Sequence, residues 1–314
     1  RDPDNGIISI EGLDPDSDYT IGYSLTTRPE GIPESQIVKI HTEAAAQIPN
    51  SDFSQKESLK VDDLLVGGEW VCGAITYKSM SSIDREIPSD WASLNALTCN
   101  KNAKSKNTWF IVPSTFVENG RAIIRSVAYS LTSSNPDKTG SFWSTTHYNT
   151  NSPVFADTEK VSGELFLGSY TYSDNANRSE GKIFASRPSS VSFDYTYTPA
   201  NGSSDEGTVS IEVLDASGKV IASANGSLSA KTNITERELP LTYSQFGIKA
   251  ASFRLKFKSS KQSVAPIYIP KGDELSEGSF SLPTSPYVHN IDPNKFNAVA
   301  TGSVLTIDNV KLNY

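Results

Sequence analysis

The stretch "TGSVLTIDNVKLNY" (301–314) shows the hydrophobic alternation that decides the fold class of this chain. Leu305 and Ile307 alternate with polar neighbours, and a second alternating set follows to the last residue. A period of two is typical of a β-strand that buries one face. The two sets are out of phase, and the break falls at Asp308 and Asn309. Because a strand changes its buried face by inserting an extra residue, we predict a β-bulge at this pair.

The same period of two recurs through most of the chain. "SVSFDYTYTP" (190–199) places four apolar or aromatic residues on one face, and "ASFRLKFKSS" (251–260) turns its apolar residues inward and its basic residues to solvent. "TVSIEVLDASGKVIASA" (208–224) has the pattern of two strands joined by a turn at Asp-Ala-Ser-Gly. One short helical turn is predicted near "PSDWASLNALT" (88–98), with Ser89 as its cap. We therefore predict an all-β architecture.

Composition excludes several classes of function. The 314 residues carry a net charge of −8, and Lys and Arg are scattered along strand faces rather than clustered, so nucleic acid is not an expected partner. No apolar run reaches the ~20 residues that a membrane-spanning helix needs. Cys72 and Cys99 either form one disulfide or stay apart as two small buried residues, and neither has the neighbours of a zinc site.

The first part of the chain has a different pattern from the rest. Leu13, Pro15 and Tyr19 resemble the tyrosine corner of fibronectin type III and related immunoglobulin-like sandwiches. We therefore predict that residues 1–45 are the C-terminal strands of such a domain, whose earlier strands would precede Arg1. "EAAAQIPNSDFSQ" has the character of a linker and a new start, which places the second domain at 46–314.

Several stretches together resemble the carbohydrate metabolism domain of cell-surface lipoproteins from gut anaerobes. They are "IPNSDFS", "DWASLNALT", "NGRAIIRSVAYS", "SGELFLGSYTYSDNANRSEGKIFASRPSSVSFDYTYTP" and "GSVLTIDNVKLNY". The chain departs from the family pattern at Ser54, where an acid is usual, and at Thr196, where Lys is usual. The resemblance implies a galactose-binding-like jelly-roll β-sandwich that follows an immunoglobulin-like module. It also implies a cell-surface or periplasmic location, with an outer-membrane lipid anchor on the segment before Arg1.

Three functions follow from the residues and the resemblance. The first is a non-catalytic protein that binds polysaccharide or oligosaccharide, or assists in its utilisation. The second is a structural or adhesive surface protein that contacts other proteins. The third is a glycosidase, which needs two carboxyls across one bond. Glu212 and Asp215 are the acid-rich candidates, but their pattern predicts a strand face and a turn, and the three histidines lie in no catalytic motif.

Sugar binding makes a specific demand on side chains. The C–H faces of a pyranose ring pack on aromatic rings, while its hydroxyls need polar partners. Trp143, His147 and Tyr148 meet this demand in "GSFWSTTHYNTNSP", and Trp109 does so after a basic run. Arg187 is added because it matches the Arg-Pro step of the family. Each aromatic candidate is otherwise a core or rim residue, and Arg187 otherwise braces a turn.

A calcium site is a further prediction. In jelly rolls the first and last strands commonly lie side by side, so Asp308 should come near "NSDF" at 50–53. Asp308, Asp52 and Asn50 would then supply the oxygen ligands that a structural calcium prefers. In the alternative interpretation, Asp308 accepts hydrogen bonds from backbone N–H groups that the bulge leaves unpaired.

Overall fold

The computed structural model describes residues 10, 12–24, 35–61, 64–71, 74–80, 83–99, 113–129, 146–147, 159–173, 175–244, 247–262, 281–282 and 301–314. Its strands to residue 161 are β1 (Asp18–Ser24), β2 (Ser35–His41), β3 (Lys56–Val61), β4 (Leu64–Val71), β5 (Ala74–Met80), β6 (Ile83–Pro88), β7 (Trp91–Ser93), β8 (Thr115–Glu118), β9 (Arg121–Tyr129), β10 (Thr146–His147) and β11 (Glu159–Val161). The later strands are β12 (Glu164–Tyr172), β13 (Ala176–Glu180), β14 (Lys182–Ile183), β15 (Ser190–Thr198), β16 (Gly207–Leu214), β17 (Val220–Leu228), β18 (Lys231–Pro240), β19 (Thr242–Tyr243), β20 (Ser252–Lys258), β21 (Ser281–Leu282) and β22 (Thr301–Asn313). The helical elements are α1 (Asn95–Thr98) and a 3-10 turn (Ala200–Gly202).

Two antiparallel sheets form a β-sandwich. The six-stranded sheet has the order β11-β9-β22-β15-β18, with β8 beside β9. The eight-stranded sheet has the order β13-β12-β20-β16-β17-β19, with β7 beside β12 and β14 beside β20. Further two-stranded pairs are β1–β2, β3–β6, β4–β5 and β10–β21.

The strand order within the sandwich is that of a jelly roll. Eight of its strands, in chain order, are β9, β12, β15, β16, β17, β18, β20 and β22. One sheet contains β9, β22, β15 and β18 in this spatial order, which are the first, eighth, third and sixth of the eight. The other contains β12, β20, β16 and β17, which are the second, seventh, fourth and fifth. Chain order therefore alternates between the layers in the double Greek-key manner of jelly rolls. The predicted all-β jelly-roll sandwich is confirmed.

The core lies between the two sheets. Four side chains predicted on one face of β15 are buried there: Val191, Phe193, Tyr195 and Tyr197. The rings of Phe193 on β15 and Phe257 on β20 meet edge to face across the layers, 5.0 Å between centroids. The period of two is thus explained, because alternate residues of each strand point into the space that the sheets share.

The last strand contains the predicted bulge. Ser192 of β15 lies opposite Lys311, and Asp194 lies opposite Asp308, so two residues of β22 face one residue of β15. Asn309 has φ +49, a left-handed conformation that asparagine tolerates better than most residues. The Asn309 N–H donates to Asp308 Oδ1 at 2.8 Å, and Asn309 Nδ2 donates to Asp194 Oδ2 at 2.9 Å. The acid and the amide therefore satisfy the polar groups of the bend.

The two ends of the jelly-roll segment lie side by side, as predicted. The Val310 N–H donates to the carbonyl of Ser51 at 3.0 Å. Gln47 bonds the backbone of Leu312 twice, accepting from its N–H at 2.9 Å and donating to its carbonyl at 2.8 Å. The final strand thus fixes the segment that leads into the sandwich.

The predicted helical turn is present, but the prediction of its cap was wrong. The helix α1 follows Leu94 and has no side-chain cap. Ser89 lies outside it and donates its backbone N–H to the carbonyl of Gln55. The intervening β7 pairs with β12 and holds the chain extended, so that the helix begins later. Within the described ranges, no helix has the length and apolar character needed to span a membrane.

The hairpin of β1 and β2 contains the hydrogen bond that a tyrosine corner requires. The Tyr19 hydroxyl accepts from the backbone N–H of Asp14 at 2.8 Å, which ties the strand to the segment just before it. Of residues 1–45, the structure describes 10, 12–24 and 35–45. The division into an immunoglobulin-like part and a jelly roll therefore stays a prediction.

A buried carboxylate joins the two layers near one end of the sandwich. Asp205, which precedes β16, is 3% exposed. It accepts hydrogen bonds from the hydroxyls of Tyr197 at 3.0 Å, Ser260 at 3.1 Å and Ser303 at 2.7 Å. Tyr197 and Ser303 belong to the six-stranded sheet, and Ser260 follows β20 of the other. The cost of burying this charge is therefore offset by three hydroxyl donors.

Candidate functional site

The predicted aromatic sugar platform cannot be placed. Trp109, Trp143 and Tyr148 lie outside the described residues. His147 lies in β10, which pairs with β21, and of its position only the backbone is described. The proposal that these four residues bind sugar stays a prediction.

Arg187 is held by the structure around it. Its Nε donates to Glu43 Oε2 at 2.9 Å, and its Nη1 donates to the carbonyl of Ile248 at 3.3 Å. Its guanidinium also lies 6.0 Å from the ring centroid of Tyr243. These contacts join the segment after β2 to the sandwich, which favours the bracing role over direct sugar contact.

Arg187 lines a cleft of about 580 Å³ between the β1–β2 hairpin and the sandwich. His41 lies at this cleft, and its ring nitrogens are each 3.0 Å from the carboxylates of Asp18 and Asp16. The hydrogen bond to Asp18 and, to a smaller extent, the one to Asp16 raise the pKa of His41 above its ordinary value. Lys249 and Glu43 are the other charged residues that line the cleft. Among the described residues that line it, only His41 has an aromatic ring. Among the described residues, the cleft thus offers charges but no six-membered aromatic face for a sugar.

The proposed calcium ligands are occupied by other partners. Asn50 donates to the carbonyls of Gln55 and Ser89 at 2.8 Å each, and its Oδ1 accepts from the Gln55 N–H. Asp52 accepts from the N–H and hydroxyl of Ser54.

Asp308, the third proposed ligand, accepts from Asn309 N–H, and its Oδ2 lies 3.4 Å from Arg121 Nε. A calcium ion at Asp308 would compete with this guanidinium. These contacts favour the hydrogen-bonding alternative for Asp308, and calcium binding by the three residues stays a prediction. In the ranges that the structure covers, no cluster of three or more His, Cys, Asp or Glu side chains is placed to hold a metal.

Thermal unfolding tests the calcium prediction. We expect the same Tm in chelator and in millimolar calcium, whereas Asp308→Ala should cost about 0.5–1.5 kcal/mol because it removes the acceptor at the bulge. A rise in Tm with calcium that Asp308→Ala abolishes would restore the calcium site. Asp215→Ala is the matched control, because Asp215 is not among the proposed ligands and bonds in the turn between β16 and β17.

Glu212 and Asp215 have the structural roles predicted for them. Glu212 lies on the outer face of β16, where Arg254 Nη1 donates to its Oε2 at 3.0 Å. Asp215 accepts from the backbone N–H groups of Ser217 and Lys219 in the turn between β16 and β17. The Ser217 hydroxyl and these N–H groups lower the pKa of Asp215 below its ordinary value.

The outer face of the eight-stranded sheet carries a cluster that sequence analysis missed. Leu165 and Leu167 of β12 point into the core, so the alternate residues point away from it. Tyr170 and Tyr172 lie on this outer face and are half-buried, and Arg178 of β13 lies directly opposite Tyr170. We call the set of Tyr170, Tyr172, Arg178, Glu164 and Glu180 the Tyr–Arg face.

Arg178 is the centre of this face. Its Nε donates to Glu180 Oε1 at 2.7 Å, and its Nη2 lies 2.6 Å from Glu164 Oε2. Its guanidinium carbon lies 4.1 Å from the ring centroid of Phe166, a cation–π distance. Phe166 is fully buried, and the Arg178 guanidinium packs over its ring. The guanidinium is therefore fixed between two carboxylates and an aromatic ring.

Electrostatic interactions within the face keep Glu180 and Arg178 charged. Burial by itself would raise the pKa of Glu180, but the nearby Lys256 and Arg178 outweigh it and lower that pKa below its ordinary value. Burial would likewise lower the pKa of Arg178, and its bond to Glu164 reverses the effect. For Tyr170, burial raises the pKa of the phenol, which stays protonated and able to donate. The face thus presents fixed donors and acceptors beside two aromatic rings.

The same side of the sheet continues as a polar surface across β20, β16 and β17. Lys256 of β20 lies opposite Ser210 of β16, and Lys258 lies opposite Thr208. Beyond them lies a cavity of about 360 Å³. The polar side chains that line it are Thr208, Ser210, Asn225 and Ser227.

Comparison with known proteins gives structural neighbours only. No family model and no curated protein matches the sequence. Among solved structures, the chain is similar to a carbohydrate-binding module from the β-sandwich superfamily, with 9% identity and a TM-score of 0.23, over 95% of this chain and 92% of that one. The strand pairing described above, rather than this superposition, establishes the fold.

Two larger proteins also match part of the chain. One is the enzymatically active domain of tailspike protein 4 from bacteriophage CBA120, with 14% identity and a TM-score of 0.23 over 54% of this chain. The other is an arabinose-bound α-L-arabinofuranosidase, with 11% identity and a TM-score of 0.22, also over 54%. The matched part spans 17% and 22% of those two proteins.

Proposed function

We propose that this protein is a non-catalytic glycan-binding protein and that the Tyr–Arg face is its binding surface. One observation supports the proposal above all others. Two half-buried tyrosines share the outer sheet face with an arginine that is fixed between two carboxylates. This arrangement meets both demands of a sugar, a flat apolar surface and forked polar partners.

Binding would use each part of the face differently. The rings of Tyr170 and Tyr172 would pack against the C–H faces of pyranose units, and their hydroxyls would remain at the edge of the sheet. The Glu180 carboxylate would accept from sugar hydroxyls, while Arg178 holds the carboxylates of Glu164 and Glu180 in place. Because Arg178 is already ordered in the free protein, little side-chain entropy is lost on binding.

The two carboxylates of the face are suited to binding rather than to hydrolysis. A glycosidase needs one carboxyl that stays protonated until it donates to the leaving group. The lowered pKa of Glu180 keeps that group ionised near neutral pH, and Arg178 bridges it to Glu164. Glu180 is therefore not prepared to act as the acid.

The family resemblance supports a wider setting for this activity. We place the protein among the accessory proteins of polysaccharide utilisation, held at the cell surface or in the periplasm by a lipid anchor upstream of Arg1. A location of this kind gives a glycan-binding face access to extracellular polysaccharide.

Affinity gel electrophoresis and calorimetry with a panel of plant and host polysaccharides test the proposal. We expect the double variant Tyr170→Ala, Tyr172→Ala to bind about 5- to 150-fold more weakly, since each lost ring contact is worth about 0.5–1.5 kcal/mol. Thr171→Ala is the matched control, because Thr171 lies between them and is exposed. An unchanged urea midpoint would show that the variants remain folded.

The outcomes separate the candidate functions. Full binding by the double variant would overturn the Tyr–Arg face and direct attention to Trp143. Failure of the unmodified protein to bind any glycan in the panel would overturn glycan binding itself. Capture of a surface protein in the latter case would support the structural or adhesive role.

A further inference from the structure

We infer that the glycan carries an acidic sugar, which Lys258 recognises from its position opposite Thr208, one of the residues that line the 360 Å³ cavity. The inference rests on the proposed function and adds the chemical class of the ligand. The acidic group is a carboxylate or a sulfate ester. Both are compact anions with several acceptor oxygens, and a lysine ammonium binds either one.

Lys258 lies between two parts of the outer face. It is opposite Glu164 of β12 on one side and opposite Thr208 of β16 on the other. Tyr170 lies six residues further along β12, which corresponds to at most about 20 Å of extended chain. A single oligosaccharide could therefore contact the tyrosines at one end and Lys258 at the other.

On the outer face of the eight-stranded sheet, Lys258 is the basic residue without an acidic partner among the described residues. The face has four basic residues and three acidic ones, against a net charge of −8 for the whole chain. The seven are Arg178, Arg254, Lys256, Lys258, Glu164, Glu180 and Glu212. Arg178 engages Glu164 and Glu180, Lys256 lies 3.3 Å from Glu180, and Arg254 pairs with Glu212. Within the part of the chain that the structure describes, the side-chain ammonium of Lys258 makes no ion pair or hydrogen bond.

The cavity beside Lys258 has the character of a sugar subsite. Its polar lining consists of three hydroxyls and one amide from Thr208, Ser210, Ser227 and Asn225. Such groups both donate and accept, as sugar hydroxyls do, and they carry no charge of their own. Lys256 is paired with Glu180, which leaves the Lys258 ammonium beside a neutral polar cavity. This arrangement fits a sugar with many hydroxyls and one anionic group.

Matched pairs of polymers test this inference by calorimetry and affinity electrophoresis. One pair is polygalacturonate and its methyl ester, and the other is dextran sulfate and dextran. We expect the acidic member of at least one pair to bind about tenfold more tightly at low salt, with the preference reduced at high salt because screening weakens the charge contact. The pair that shows the preference identifies the anion as carboxylate or sulfate.

Two variants assign the preference to this residue. Lys258→Gln should lose about tenfold in affinity for the acidic polymer and keep its affinity for the neutral one within twofold. Lys311→Gln is the control, because Lys311 is exposed on the other sheet. Equal binding of acidic and neutral polymers, or an unchanged Lys258→Gln, would overturn the inference and leave glycan binding standing. Absence of all glycan binding would overturn both.

Discussion

Replacement of Asp205 by Ala is expected to lower the free energy of unfolding by about 3–5 kcal/mol. Asp205 is 3% exposed and accepts from three hydroxyls that belong to both layers. Without the carboxylate, the hydroxyls of Tyr197, Ser260 and Ser303 lose their shared acceptor in a buried environment. Urea unfolding followed by tryptophan fluorescence measures the change.

Two further variants serve as comparisons for that measurement. Glu236→Ala, on the exposed strand β18, should change stability by no more than about 0.5 kcal/mol. Asp205→Asn keeps one acceptor oxygen but turns an NH₂ donor toward hydroxyl donors, so an intermediate loss is expected. A loss for Asp205→Ala as small as that for Glu236→Ala would show that the hydroxyls find other partners.

The same carboxylate predicts how stability depends on pH. Burial alone would raise the pKa of Asp205, but the bonds from Ser303, Ser260 and Tyr197 outweigh it and lower that pKa below its ordinary value. Stability from a group of this kind is fully present above its unfolded pKa, about 3.9 for aspartate, and is lost as the pH falls through the folded pKa. The unmodified protein should therefore lose stability more steeply below about pH 4 than Asp205→Asn. Parallel acid curves for the two proteins would contradict this assignment.

Replacement of Gly168 by Ala is expected to cost about 2–4 kcal/mol and to abolish glycan binding. Gly168 has φ +143, which side-chain-bearing residues rarely adopt, and a Cβ there would lie 2.1 Å from the carbonyl oxygen of Ser179. Ser179 lies between Arg178 and Glu180 on β13. The substitution must therefore move the strand that carries the centre of the Tyr–Arg face. Urea unfolding and affinity electrophoresis measure the two effects.

Gly218→Ala separates the backbone effect from the steric one. Gly218 also has a positive φ, +82, but a Cβ there meets nothing within 4 Å. Its replacement should cost about 1–2 kcal/mol from backbone strain alone and should leave binding unchanged, since the turn lies away from the face. Equal losses for the two variants would show that the contact with Ser179 is relieved without moving β13.

The alternation of single strands was readable from the sequence. The inward residues of β15 and β20, the turn at Asp215 and the bulge at Asp308 and Asn309 all follow from patterns within a dozen residues. Such patterns are local, because a strand turns successive side chains to opposite faces wherever it lies in the sheet. The helix cap at Ser89 failed because the pairing of β7 with β12, more than 70 residues away, set the start of the helix.

The Tyr–Arg face had a weaker signal. Tyr170 and Tyr172 alternate with small polar residues, and Arg178 follows six residues later, which predicts a hairpin but not what its charged groups contact. Phe166 has the pattern of an outward residue, yet it is fully buried and Arg178 lies over its ring. Arg187 bonds Glu43 across 144 positions of the chain, a partner that no local pattern indicates.

By itself, the sequence determined that the chain forms strands, which faces of β15 and β20 are buried, and where the last strand bends. Only the tertiary structure decided that Asp205 is buried among three hydroxyls, that Arg178 bridges two carboxylates and that Lys258 lies opposite Thr208 of a polar cavity. The reason is physical. Burial of a strand face is encoded by neighbouring residues, whereas the meeting of polar groups depends on register between strands that are far apart in the chain.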